Sequence, residues 1–138
     1  MLDSNIIAKL VLNEPDSKQA RASIKSYAKK GYSLYTVDTA FAECLNVIWK
    51  HATLLGDLSS EDAKSATEYL AKVFNGINIA ATQDLAEETI KIAQTKKTPV
   101  YDALYIALAQ KTKGTLYTAD QKLCALAKTT INTKLLQP

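Results

Sequence analysis

The sequence predicts a three-layer α/β/α sandwich with a central parallel sheet of about five strands. Short segments rich in β-branched and aromatic residues alternate with longer segments whose apolar residues recur at helical spacing. The connections are short, and such alternation places the strands parallel and covers both faces of the sheet with helices. With 138 residues of ordinary globular composition, the chain is expected to form one domain over residues 1–138.

The elements of the first half follow from apolar periodicity, capping residues and a glycine that ends a helix. Only Met1 and Leu2 form the first strand, which Asp3 ends. The sequence then predicts a helix over 4–12, a helix over 16–30 capped by Asp16, a strand over 32–37, a helix over 39–54 capped by Asp38, and a helix from 59 or 60 to 74.

The second half contains a strong helix start at Thr98 and Pro99, because proline at the first helical position loses no hydrogen bond. Trp49, Tyr101 and Tyr105 stand at helical positions that predict core side chains, with the rim of a pocket beside Asp102 as the alternative for Tyr101. The predicted elements are a strand over 77–81, a helix over 85–96 with Ile90 and Ala93 inward, a helix from Thr98 to Lys113 closed by Gly114, a strand over 115–118, a helix over 120–128 and a strand over 131–136.

Composition excludes several classes of protein. No apolar run reaches the roughly 20 residues that a membrane span needs, and no basic segment followed by an apolar stretch marks a secretory signal. Cys44 and Cys124 lie far apart and form no CxxC pair, which argues against a disulfide framework or zinc ribbon and favours the reducing cytoplasm. The single histidine, His51, stands near a helix end and is expected to contact free backbone carbonyls.

The charge balance favours a polymer that carries phosphates. Seventeen basic residues face fourteen acids, for a net charge of +3. If four of the acids occupy one metal site, ten remain against seventeen bases, and the rest of the surface carries +7. A basic surface around an acidic pocket suits a phosphate-bearing polymer better than an acidic substrate.

Two acidic residues directly follow predicted strands, at the edge of the sheet where parallel α/β folds bind ligands. Asp3 ends the first strand, and Asp120 follows the strand over 115–118. Each also precedes a helix, so a helix cap is the competing interpretation of both residues.

Two further acidic residues stand on helices that are expected to reach the same edge. Asp102 shares a helical face with Tyr105, Ile106 and Ala109, and a buried carboxylate there needs a cation or a strong hydrogen-bond donor. Glu43 belongs to a polar stripe on a largely apolar helix, and sequence alone leaves open whether that stripe borders solvent or the pocket. The predicted pocket therefore holds Asp3, Glu43, Asp102 and Asp120.

Clustered carboxylates without a thiol or imidazole partner form an oxygen site that selects Mg²⁺ or Mn²⁺ over zinc. Like charges held together raise each other's pKa unless a cation neutralises them. One such ion activates an attacking water and a second stabilises the leaving oxygen, and these are the two effects that phosphodiester hydrolysis needs. No Ser-His-Asp or Cys-His set and no glycine-rich phosphate loop competes with this interpretation.

Four motifs make the chain resemble a PIN domain, with a size and spacing nearest the VapC-type toxins of prokaryotic toxin–antitoxin pairs. The resemblance covers essentially the whole chain, and its third and fourth motifs are the specific ones. They are Leu2-Asp3-Ser4-Asn5, Glu43 with Asn46, residues 101–109 (YDALYIALA), and residues 116–123 (LYTADQKL).

The resemblance implies an endoribonuclease that depends on one or two Mg²⁺ or Mn²⁺ ions. Asp3 and Asp102 would be direct ligands, Asp120 a direct or water-mediated ligand, and Glu43 a ligand or the group that orients the attacking water. The matching positions that support the site or the substrate phosphate are Ser4, Asn5 and Thr118. Family members usually form homodimers, and a small VapB-type antitoxin blocks their site.

Three alternatives remain beside the toxin ribonuclease. A housekeeping RNA-processing nuclease of the same fold would typically carry an extra module such as a zinc ribbon, which is lacking here. A PIN-like module that binds RNA or protein without cleaving typically loses one of the four acids, and all four are present. A phosphoryl-accepting receiver or phosphatase needs a second acid where Asn5 stands. The apolar helix over 39–54, or the next helix, is the predicted dimer face.

Overall fold

A computed structural model describes all residues 1–138 and confirms the predicted α/β fold. Two parallel pairs of strands form the sheet: β1 with β2, and β3 with β4. Their bounds are Tyr35–Val37 for β1, Asn78–Ala80 for β2, Thr115–Thr118 for β3 and Asn132–Leu135 for β4.

The first residues of the chain join the two pairs. The Leu2 amide donates to the Tyr35 carbonyl at 2.8 Å, and the Tyr117 amide donates to the Met1 carbonyl at 2.8 Å. Leu2 and Tyr117 form an isolated parallel bridge. The predicted first strand is therefore reduced to a single bridge, because only two residues precede Asp3 and the helix that follows it.

Seven α-helices surround these strands, and none is long and apolar enough to cross a bilayer. A π-helical extension over Lys50–Leu55 continues α3, and a short 3₁₀-helix over Thr82–Leu85 leads into α5. The helices are α1 Ser4–Val11, α2 Ser17–Lys29, α3 Thr39–Trp49, α4 Ser60–Asn75, α5 Ala86–Lys96, α6 Val100–Thr112 and α7 Gln121–Ala127.

The core is organised around α6, in which every residue from 103 to 109 is buried. This helix packs against α5, β1 and β3, and its apolar residues extend around the whole circumference. Such a helix is stable only inside a protein. Its amino-terminal turn, which bears Asp102, therefore has a fixed position relative to the end of β3.

Several predicted caps are wrong, since backbone conformation and tertiary partners override local sequence. Asp16 has a left-handed φ of 65° and forms no capping bond, whereas a side-chain cap needs extended backbone. Asp38 is helical and accepts hydrogen bonds from the amide and hydroxyl of Thr82 instead. Lys113, not Gly114, adopts the left-handed conformation that ends α6.

The predicted inward positions are also only partly right. Ile90 is 50% exposed because α5 turns Thr89 and Ile92 toward the core. Trp49 and Tyr101 are 49% and 60% exposed, so neither is a core residue. A helical spacing does not tell which side of a helix is covered by the rest of the protein. In α5 the buried face includes a polar residue, Thr89, so the apolar pattern alone does not identify that face.

His51 binds two carboxylates rather than free carbonyls, which corrects the sequence-based expectation. Its Nδ1 lies 2.8 Å from Asp57 Oδ1 and its Nε2 lies 3.2 Å from Glu14 Oε1. The hydrogen bond with Asp57 raises the pKa of His51 above its ordinary 6.5; Glu14 adds to the effect and burial opposes it. The protonated imidazole thus links the π-helical extension of α3 to the loop after α1.

We expect His51→Gln to destabilise the protein more at pH 5 than at pH 9. Because the folded-state pKa is raised, the stabilisation is complete below the unfolded-state pKa and is lost as pH rises through the folded-state value. A loss of about 1 kcal/mol at pH 5 corresponds to a fall of about 4 °C in the melting temperature. Thermal unfolding at both pH values, beside the unpaired neighbour variant Lys50→Gln, measures the difference. An equal loss at both pH values would contradict the ion-pair account.

Candidate active site

The structure places the four predicted carboxylates near the amino-terminal ends of four helices. Asp3 precedes α1, Glu43 lies in the second turn of α3, Asp102 lies in the first turn of α6, and Asp120 lies between β3 and α7. Burial raises the pKa of both Asp3 and Asp102; the charge of Asp120 adds to each shift, and the charge of Glu43 adds to that of Asp3. The charge of Asp120 thus acts on both Asp3 and Asp102.

Asp3 is a buried carboxylate, 1% exposed, that is both a helix cap and a member of this group. Its Oδ1 accepts from the Ile6 amide at 2.9 Å, and its Oδ2 accepts from the hydroxyl of Thr118. Burial raises the pKa of Asp3 to about 7; the two hydrogen bonds oppose this shift, and the charges of Asp120 and Glu43 add to it. The two interpretations left open by the sequence are therefore compatible in one side chain.

Thr118 connects Asp3 to Asp120. This fully buried residue at the end of β3 donates its hydroxyl hydrogen to Asp3, and the same oxygen accepts the Asp120 amide at 2.9 Å. Asp120 Oδ1 in turn caps α7 by accepting the Leu123 amide at 3.0 Å. The strand end thus fixes both aspartates through one threonine.

Glu43 points to the site and not to solvent. Its Oε2 accepts from Ser4 Oγ at 2.9 Å, and its Oε1 accepts from the Tyr105 hydroxyl at 2.9 Å. The other members of the predicted polar stripe are Thr39, Asn46 and Lys50: Asn46 and Lys50 are exposed, and the Thr39 hydroxyl is buried without a hydrogen-bond partner. Tyr105, expected only as a core residue, is therefore also a polar residue of the site. The sequence feature that could have indicated this role is a hydroxyl-bearing side chain one helical turn after Asp102.

Asp102 is half-buried at the amino-terminal end of α6. Thr98 Oγ1 lies 3.4 Å from its Oδ2, so Thr98 bonds this carboxylate and does not cap the helix. Burial, followed by the charge of Asp120, raises the pKa of Asp102, while the bond with Thr98 and the charge of Lys122 oppose the shift. Of the predicted supporting residues, Ser4 and Thr118 bind site carboxylates, whereas Asn5 is exposed beside them.

The carboxylate oxygens of these side chains are the donors that a hard divalent cation prefers, although the four carboxylates are not gathered into one ligand set. None of the four carboxylates forms a salt bridge with a lysine, arginine or histidine, and Asp102 feels the charge of a lysine, Lys122, without direct contact. No three acidic, histidine or cysteine side chains are close enough to hold an ion as they stand. Burial raises the pKa of the nearby Cys44 thiol to about 12, which leaves only oxygen donors. Mg²⁺ or Mn²⁺ matches such donors once the side chains move inward.

The chain is similar to known proteins over nearly its whole length. The PIN-domain family profile matches residues 1–129. Ribonuclease VapC3 of Pyrobaculum aerophilum is 32% identical over 123 residues, which cover 89% of this chain and 90% of the relative. The crystal structure of PAE2754 from Pyrobaculum aerophilum covers 95% of this chain and 86% of its own with a TM-score of 0.69; at 23% identity it supports the fold alone.

The family is thus established by a profile that spans nearly the whole chain and by a relative of similar length. The chain belongs to the PIN-domain family and is of the VapC type.

Proposed function

We propose that the protein is a metal-dependent endoribonuclease that hydrolyses RNA phosphodiester bonds as the toxin of a VapBC-type toxin–antitoxin pair. The observation that carries the proposal is the buried Asp3 carboxylate, which shares its surroundings with Glu43 and Asp120 and has no cationic partner in the chain. A buried charge of this kind costs several kcal/mol unless a cation compensates it. The relative of similar length is named a ribonuclease. Hydrolysis of RNA phosphodiester bonds is a reaction that an acidic site of this kind supports when it holds a metal ion.

Asp3, Glu43, Asp102 and Asp120 would hold one or two Mg²⁺ or Mn²⁺ ions. When bound, a divalent ion makes water nucleophilic near neutral pH and stabilises negative charge on the phosphate oxygens. Asp3 and Asp102 would be direct ligands, and Asp120 a direct or water-mediated one. Glu43, whose two oxygens are fixed by Ser4 and Tyr105, would be a ligand or would orient the attacking water. Exposed Asn5 is open to a substrate phosphate.

The proposed partners are RNA, a VapB-type antitoxin that blocks the site, and a second copy of the chain in a homodimer. Exposed Trp49, Leu54 and Leu55 on α3 and its extension support the predicted dimer face, because large apolar side chains favour a covered surface. The cytoplasmic location stays a prediction.

We expect wild-type protein to cleave a structured RNA with Mg²⁺ or Mn²⁺ and to lose cleavage in EDTA. Asp102→Asn should lower the cleavage rate by about 100-fold or more, since losing an ion that stabilises transition-state charge costs several kcal/mol. Asp84→Asn, which neutralises an exposed aspartate on the 3₁₀-helix, should leave the rate unchanged.

Equal cleavage by Asp102→Asn and wild type would show that the site is wrong. A wild type that binds the metal but cleaves no RNA from total cellular extracts would favour the non-cleaving binding module. Cleavage by a protein whose gene has no small partner gene beside it would favour a housekeeping nuclease.

We expect Asp3→Asn to stabilise the metal-free protein at pH 8. The pKa of Asp3 is about 7 in the folded state against 3.8 as the ordinary value, so the unfolded state loses its proton first. The free energy of unfolding of wild type therefore falls between about pH 4 and pH 7, by an amount on the order of a few kcal/mol. The asparagine stays neutral and keeps the cap acceptor.

Thermal unfolding in EDTA at pH 5 and pH 8 measures this effect. Mn²⁺ should raise the melting temperature of wild type more at pH 8 than at pH 5, and it should not stabilise Asp3→Asn. If Asp3→Asn is less stable than wild type at pH 8 without metal, the carboxylate is structural and the cation hypothesis fails.

A further inference from the structure

We propose that Tyr105 is a positioning residue that holds Glu43 in the orientation needed for metal binding. The inference rests on the proposed function and adds a residue to it. Tyr105 lies one helical turn after Asp102 on α6, while Glu43 lies on α3 and Ser4 starts α1. One hydroxyl thus connects the three helices that carry Asp3, Glu43 and Asp102.

The geometry of this hydroxyl is specific. It donates to Glu43 Oε1 at 2.9 Å and accepts the Ser4 amide at 3.2 Å. Ser4 Oγ donates to the other oxygen, Glu43 Oε2, at 2.9 Å. The carboxylate is therefore held at both ends, and each oxygen keeps a lone pair for an ion or for water.

A core role alone does not explain a tyrosine at this position. Tyr105 is 2% exposed, and the ring contributes to the core as phenylalanine would. Only the hydroxyl both donates and accepts, so phenylalanine would leave the Ser4 amide and one Glu43 oxygen unpaired in a largely buried place. Burial raises the pKa of Tyr105 above its ordinary value, so the hydroxyl keeps the hydrogen that it donates to Glu43.

Ligating carboxylates are commonly oriented by hydrogen bonds from residues that do not touch the ion, and losing such a bond costs about 10–100-fold in metal affinity or activity. The Glu43 carboxylate forms no hydrogen bond within its own helix, so its orientation depends on partners from other helices. Tyr105 and Ser4 are those partners. Tyr105 does not reach the substrate; its effect on the reaction passes through Glu43.

The test compares Tyr105→Phe with Tyr117→Phe. Tyr117 is a matched control, since it is 5% exposed, its ring packs edge-on against Tyr27, and its hydroxyl bonds no residue of the site. Mn²⁺ binding to each protein without RNA is measured by electron paramagnetic resonance, and kcat and KM are measured on one RNA oligonucleotide. We expect Tyr105→Phe to weaken Mn²⁺ binding and to lower kcat at sub-saturating Mn²⁺ by about 10-fold or more. KM for RNA should stay within about two-fold of wild type, and Tyr117→Phe should change neither quantity.

A double-mutant cycle tests whether the effect of Tyr105 on metal binding passes through Glu43. In a Glu43→Gln background, Tyr105→Phe should cause no further loss of Mn²⁺ affinity, whereas additive losses would overturn the proposal. If Tyr105→Phe proves unfolded by circular dichroism, 4-aminophenylalanine at position 105 restores a donor and an acceptor. That protein should bind Mn²⁺ within a few-fold of wild type; a folded protein with a ten-fold loss would overturn the proposal.

The two hypotheses fail in different ways. Wild type that neither binds Mn²⁺ nor cleaves RNA would overturn the proposed function and the role of Tyr105 with it. Wild type that binds and cleaves normally, with Tyr105→Phe indistinguishable from Tyr117→Phe, would overturn the role of Tyr105 alone.

Discussion

The buried carboxylate of Asp3 is the constraint on which the rest of the site depends. It lies where the shortest segment of the sheet meets α1, and it accepts from the Ile6 amide and the Thr118 hydroxyl. It forms no ion pair with a lysine, arginine or histidine. Burying such a group destabilises the folded state by several kcal/mol. A chain selected for stability alone would carry a neutral residue here, so the carboxylate indicates a functional requirement.

Neighbouring polar residues from several helices and strands hold Asp3 and the other site carboxylates in place. Thr118 fixes Asp3 relative to Asp120, and Tyr105 with Ser4 fixes Glu43 relative to the start of α1. Because residues 103–109 of α6 are all buried, Tyr105 and the adjoining turn that bears Asp102 have a rigid base in the core. No three of the acidic side chains are close enough to hold one ion as they stand, and carboxylates without a cation repel one another.

The sequence predicted those features that depend on chain order and chemical type. Alternating strands and helices determine a parallel sheet, and residues after strands must then meet at one edge, which brings Asp3 and Asp120 to the same place. The strand over Thr115–Thr118 has the predicted bounds, since Gly114 precedes four residues suited to a strand and Asp120 follows one residue after them. The face of α6 that bears Tyr105, Ile106 and Ala109 is buried, as its helical spacing predicted.

Features that depend on contacts between residues distant in sequence could not be predicted from the sequence. Asp38 binds Thr82, which is distant in sequence, instead of capping its own helix. Trp49 and Tyr101 are exposed because helical spacing carries no information on what covers a face. The role of Tyr105 is visible only when α1, α3 and α6 are brought together, since its partners Ser4 and Glu43 are remote in the chain.

The central claim is that a divalent cation compensates the buried charge of Asp3. Anomalous diffraction from crystals soaked in MnCl₂ tests it most directly, since the method locates Mn²⁺ independently of activity. We expect an anomalous peak about 2.1 Å from a carboxylate oxygen of Asp3, with Asp102 and Asp120 turned toward it. A fully soaked crystal with no peak beside Asp3, or with Mn²⁺ bound only at remote carboxylates, would contradict the claim.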